Sequence, residues 1–218
     1  MHKKKTLLIL LACAFILLLV YVIFDSGTKP AIEPGDIKES ALIEYPPEYN
    51  YRQSINDCGP FNAAAAVRAL RGTDADSTLF AREIGWRLPN KYTLPWGLES
   101  QLKEKGITID KPSFKLLADE EKITLIQQYL SASRPIIILG ERDHYEHYLT
   151  ILGFDSGLDE YYIYDSLEAK LPEQTGMTID DNDDFPGNKT MKSQEILNFW
   201  RGGGMYGLWE WYGLVVSL

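Results

Sequence analysis

The chain is 218 residues long, 45% hydrophobic and 24% charged, with a net charge of −9 at pH 7. Lys3, Lys4 and Lys5 supply +3 of that balance, so the rest carries about −12, which argues against nucleic acid or an anionic membrane surface as a partner of the folded part. Of the two cysteines, Cys13 lies in an apolar N-terminal run, so Cys58 has no disulfide partner in the remaining chain.

After Met1-His2-Lys3-Lys4-Lys5, residues 6–24 carry no charge and would span about 28 Å as a helix at roughly 1.5 Å per residue, enough to cross a bilayer. The run ends Val20-Tyr21-Val22-Ile23-Phe24-Asp25, a poor cleavage context, which favours an uncleaved signal anchor over a signal peptide. Leu10-Leu11-Ala12-Cys13 has the outline of a lipoprotein signal, but eleven more apolar residues follow where a lipidated cysteine is followed by a polar linker. The lysines place residues 1–5 in the cytoplasm and the rest of a single-pass membrane protein outside it. Residues 25–50, with Gly27, Pro30, Pro34, Gly35, Pro46 and Pro47, read as a tether, and residues 51–218 as one domain.

The first half of that domain carries helix signals. Asp57 and Pro60 mark the start of a helix running from Phe61 to Leu70, which Gly72 can end. Asp76 can cap a second segment bearing Leu79, Phe80 and Ile84, and Pro95 opens a third through Leu98 and Leu102 to Gly106. Asp119 caps a fourth, with Ile123, Ile126 and Leu130 at helical spacing before Pro135. The second half changes period, and Pro135–Gly140, Tyr148–Phe154, Tyr161–Tyr164 and Trp209–Leu218 read as strands. Helices first and an antiparallel sheet second predict an α+β layout. Asp180-Asp181-Asn182-Asp183-Asp184 lacks the spacing of a calcium loop and reads as a solvated loop, so no metal is called for. Asn188-Lys189-Thr190 fits a glycosylation sequon.

A lone cysteine at a helix start is a candidate nucleophile, because unsatisfied N–H groups there favour the reactive thiolate; the bland alternative is a small buried hydrophobe. A cysteine nucleophile needs a base and a group that orients the base. Of the three histidines, His2 lies across the membrane, leaving His144 and His147. If the tyrosine-rich strands form a hairpin turning on Ser156, antiparallel partners sum to about 312 and His147 lies directly opposite Asp165, on the face carrying Leu149, Ile151 and Ile163. His144, an odd number of residues away, points to the other face. Gln53, five residues before Cys58, can reach over the helix start, where its amide and the Cys58 backbone N–H would stabilise negative charge on a carbonyl oxygen.

Gln53-x4-Cys58-Gly59-Pro60, then His147-Tyr148-Leu149-Thr150-Ile151-Leu152-Gly153-Phe154-Asp155, then Tyr162-Ile163-Tyr164-Asp165, resembles the papain-like family of double-glycine leader peptidases, in its stand-alone branch without an ABC transporter. The resemblance implies a papain-like α+β fold, with Cys58 as nucleophile, His147 as general base and acid, Asp165 as orienter and Gln53 in the oxyanion hole. It implies a peptide or protein substrate and no cofactor. Two features depart from it: Ser166 follows Asp165 where members often carry proline, and the anchor sets this domain outside the cytoplasm. The function expected is therefore a membrane-anchored, extracytoplasmic cysteine peptidase. The alternatives are a non-catalytic module binding peptide or cell-wall fragments, with tryptophans and tyrosines lining its cleft, or a transpeptidase or amidase sharing the acyl-enzyme.

Overall fold

The computed structural model describes residues 6, 10–16, 29–31, 37–167, 176–177, 185–204 and 207–218. Residues 1–5, most of the apolar run and the acidic stretch 180–184 lie outside them. Residues 10–16 are helical, and Leu10, Leu11, Phe15 and Ile16 are exposed; among the described residues no helix is long and apolar enough to cross a membrane.

The chain is α+β, as its element order predicts. Its strands are β1 (Ser40–Leu42), β2 (Tyr51–Arg52), β3 (Thr108–Asp110), β4 (Ile136–Arg142), β5 (Tyr145–Asp155), β6 (Glu160–Tyr164), β7 (Gly176–Met177), β8 (Lys189–Met191) and β9 (Gly213–Ser217). Its domain helices are α1 (Cys58–Arg71), α2 (Ser77–Glu83), α3 (Pro95–Glu104), α4 (Asp119–Ser131) and α5 (Ser193–Gly202). The main sheet is antiparallel in the order β3-β9-β4-β5-β6-β8, while β2 pairs with β7 in a two-stranded sheet. Along one edge of β5, β4 pairs residues 145–151 and β1 pairs residues 153–155. Residues 40–45, within the stretch that reads as a tether, thus belong to the fold: β1 is in the sheet, and Ile43 and Tyr45 are buried.

Helices cover both faces of the sheet, which explains why β4 opens with four consecutive apolar residues. Alternation divides them. Ile137 and Leu139 meet α1, α2 and α3 through Ala63, Val67, Phe80, Leu98 and Leu102. Ile136 and Ile138 meet α4 and α5 through Leu125, Ile126, Ile196 and Trp200. The alanine run of α1 serves close approach, since Ala63, Ala64, Ala65 and Ala66 are all fully buried.

Helix ends follow the sequence with two corrections. Gly72 closes α1 in the left-handed conformation, Asp76 caps α2 by accepting from Thr78 and Leu79, and Pro95 opens α3. Asp57 precedes α1 but makes no capping bond; its carboxylate pairs with Arg87 at 2.6 Å and accepts from Ser54. Asp119 is the first residue of α4, and the N-cap is Ala118, whose N–H donates to Glu121 at 2.8 Å.

Candidate active site

Cys58 is the first residue of α1, so its backbone N–H has no partner one turn back in the helix and is left for another acceptor. The helix start is packed against the 92–95 segment. A Cβ on Gly59 would come within 2.7 Å of Thr93 Cβ, so only glycine allows this approach. One turn further on, the fully buried Asn62 donates to the Cys58 carbonyl at 2.9 Å and to the Tyr148 carbonyl at 2.8 Å, and accepts from Thr150 Oγ1 at 2.7 Å. That side chain bolts α1 to β5 beside His147.

The predicted hairpin register is corrected. Asp155 pairs with Glu160, Phe154 with Tyr161 and Gly153 with Tyr162; across a bulge at Leu152, Ile151 pairs with Ile163 and Thr150 with Tyr164. Continuing that register puts Asp165 opposite Leu149, so His147 is its diagonal neighbour on the same face. Diagonal positions lie about 7–8 Å apart, a gap that an imidazole and a carboxylate close together. His147 Nε2 and Asp165 Oδ1 are 2.8 Å apart, and both residues are buried. The register error came from the turn: four residues separate Asp155 from Glu160, and the bulge then resets which residues pair. His144 stays apart from this pair. With Asp143 it forms the positive-φ tip of the β4–β5 hairpin, its side chain 97% exposed.

With Nε2 engaged by Asp165, the other ring nitrogen, Nδ1, is left for the Cys58 thiol. Burial acts to lower the His147 pKa, but it is outweighed by the hydrogen bond and charge of Asp165 and then by those of Cys58, which raise it to about 9. For Asp165, burial acts upward and is overcome by the His147 bond and charge, the Lys189 charge and the Leu167 N–H, which hold the carboxyl well below its ordinary range. Asp165 Oδ2 also accepts from Arg142 at 2.9 Å and from Lys189 at 3.4 Å. Asn188 holds the Asp165 backbone from both sides, accepting its N–H at 2.9 Å and donating to its carbonyl at 3.0 Å. The amide of the sequon asparagine is thus committed within the fold.

Gln53 is buried in the same cluster. Its N–H donates to the Ser166 carbonyl at 3.0 Å, and its Oε1 accepts from the Ser166 hydroxyl. Phe199 of α5 closes the far side of His147, the rings meeting edge to face at 6.4 Å, and it lies where a side chain on Gly140 would have to be. Cys58 is a common wall of two cavities. One, of 690 Å³, extends past Tyr92, Pro95 and Glu210; the other, of 480 Å³, past Gln53, Arg142 and His147.

All four residues singled out in the sequence, Gln53, Cys58, His147 and Asp165, thus line or bound one site. Sequence reasoning missed Asn62, Arg142, Lys189, Phe199 and Ser166. Only Ser166 carried a signal, as the residue beside Asp165 that departs from the family pattern. Among the described residues no cluster with metal-binding composition occurs.

No protein-family model matches the chain, and no curated protein does. Among solved structures it is similar to the peptidase domain of Streptococcus ComA, a bi-functional ABC transporter involved in a quorum-sensing pathway. The two share 14% sequence identity with a TM-score of 0.46, over 81% of this chain and 97% of that one. At that similarity neither activity nor substrate transfers, and both are read from this chain's own residues.

Proposed function

We propose that this protein is a cysteine peptidase of papain-like fold, held at the membrane by residues 6–24 with its domain outside the cytoplasm. The observation that carries the reading is the buried His147–Asp165 pair at 2.8 Å, its second imidazole nitrogen directed to a cysteine at a helix start. His147 takes the thiol proton, and the resulting imidazolium and thiolate stabilise each other. The Cys58 sulfur attacks a peptide carbonyl. The oxyanion is met by the Cys58 N–H and the Gln53 amide, His147 returns the proton to the leaving amine, and water then releases the acyl group. Transfer to an amine in place of water would make the same residues a transpeptidase. The two cavities that Cys58 lines support a substrate chain that continues past the scissile bond.

Alkylation by iodoacetamide tests the nucleophile, with Cys13→Ser as the background so that only Cys58 reports. We expect fast labelling near neutral pH and labelling at least ~10-fold slower in His147→Ala, the usual scale of a lost general base being about 10²–10⁴. Equal and slow labelling of the two proteins would sink the reading.

A further inference from the structure

We propose that Ser166 is the positioning residue of the oxyanion site, fixing the Gln53 amide so that its N–H groups face the Cys58 cavity. This rests on the reading of Gln53 as oxyanion donor and assigns the group that aims it.

A glutamine amide has one oxygen and one NH₂ on a freely turning end, and only the NH₂ helps an oxyanion. The orientation of Gln53 therefore decides whether the residue assists or repels. Two bonds from one residue decide it. The Ser166 carbonyl accepts the Gln53 backbone N–H at 3.0 Å, and the Ser166 hydroxyl donates to Gln53 Oε1. With the oxygen taken, the NH₂ end is left over. Among the described residues Gln53 Nε2 has no hydrogen-bond partner and is not sealed from solvent, and Gln53 lines the 480 Å³ cavity together with Cys58 and His147. Ser166 is itself fully buried, so its hydroxyl has no water competing for it.

The clamp is also tied to the triad. Tyr164 Oη donates to the Tyr51 carbonyl at 2.6 Å, Asp165 turns to His147, and Ser166 turns to Gln53. Three consecutive residues thus fasten the 51–53 segment and set both the base and the oxyanion donor. A proline after Asp165 would have no hydroxyl and could not make the side-chain bond.

The test uses two reactions of the same thiol. Iodoacetamide alkylates by displacement and forms no oxyanion. p-Nitrophenyl acetate acylates: the Cys58 S–C bond forms, the ester C–O bond breaks and p-nitrophenolate leaves, through an oxyanion. In the full chain carrying Cys13→Ser, Ser166→Ala should slow acylation roughly 10-fold while leaving the rate and pH profile of alkylation unchanged, which also shows the His147–Asp165 pair intact. On a Gln53→Ala background the same change should have no further effect. Acylation at the unaltered rate in Ser166→Ala, with Gln53→Ala slow, overturns the proposal. Acylation at the unaltered rate in Gln53→Ala refutes the oxyanion role itself, and slow alkylation before any change at either site refutes the nucleophile. If Ser166→Ala fails to fold, Ser166→Thr and Ser166→Val decide, being equal in shape and differing in the hydroxyl. Thr should acylate faster than Val, and equal rates overturn the proposal.

Discussion

The two halves of the site are held by different physics. On the Cys58 side, α1 is set mainly by contact: four fully buried alanines and a glycine whose place for a Cβ is filled by Thr93. On the His147 side, position is set by charge. Asp165 is fully buried and gathers an imidazole, an arginine, a lysine and a backbone N–H around one carboxylate. Close packing tolerates little change of shape but is indifferent to pH, whereas a buried charge network tolerates shape and fails when one member is removed. Cys58 thus sits in the half held mainly by packing and His147 in the half held mainly by charge.

Removing the centre of the charged half should have the largest effect. Asp165→Ala leaves His147, Arg142 and Lys189 without their common acceptor, and we expect a loss of about 3–5 kcal/mol in denaturant unfolding together with slow alkylation of Cys58. Asp165→Asn retains a side-chain oxygen that can accept from His147, so it should recover part of the alkylation rate without recovering the stability. A variant as stable as the parent would show that the network is not what holds this half.

Asn62 joins the halves, and breaking it sharpens the comparison. Asn62→Ala leaves the Thr150 hydroxyl only its longer 3.4 Å bond to the backbone carbonyl at position 62 and takes the side-chain donor from the buried Tyr148 carbonyl, at a cost of roughly 1–3 kcal/mol. Alkylation should slow as well, because the helix is then free to shift along β5. Unfolding that moves while alkylation does not would mean that packing alone sets the distance from Cys58 to His147.

The packed half was the more legible in the sequence. Pro60 and Gly72 bracket α1, and the unbroken apolar run Ile136–Leu139 already fits a strand covered on both faces. The four candidate residues that the sequence singled out also lie together, because chemistry restricts a nucleophile, base and orienter to a few residue types. What stayed hidden depends on long-range pairing. The hairpin turn was placed too early, on Ser156 instead of across residues 156–159, and the bulge at Leu152 took back only one of those three positions of register, so Asp165 was put two positions away from where it lies. Lys189 reaches Asp165 only because β8 pairs with β6, and Phe199 reaches His147 only because α5 crosses Gly140. The α5 helix itself was readable in hindsight, with Ile196, Leu197 and Trp200 on one face and Glu195 accepting the Lys192 N–H at 2.7 Å. The tail of the apparent tether was not, since three residues of β1 acquire their structure from β5.

The remaining difference between the halves is a pH dependence, and its sign follows from His147. The folded protein holds the His147 proton more tightly than the unfolded chain does, its pKa being raised from 6.5 to about 9. Between those values the native state binds a proton that the unfolded state has released, so stability falls as pH rises. One such proton gives a slope of at most about 1.4 kcal/mol per pH unit. Cys58→Ala removes the thiol as a second titrating group, and because Asp165 supplies the larger upward influences on His147, the fall should persist there, beginning near pH 6.5 and ending before pH 9. In Cys58→Ala/His147→Ala the slope in this window should vanish, while the packing around Ala63–Ala66 contributes none in either protein. A slope that survives the loss of His147 would place the titrating group elsewhere and end the distinction between a charged half and a packed one.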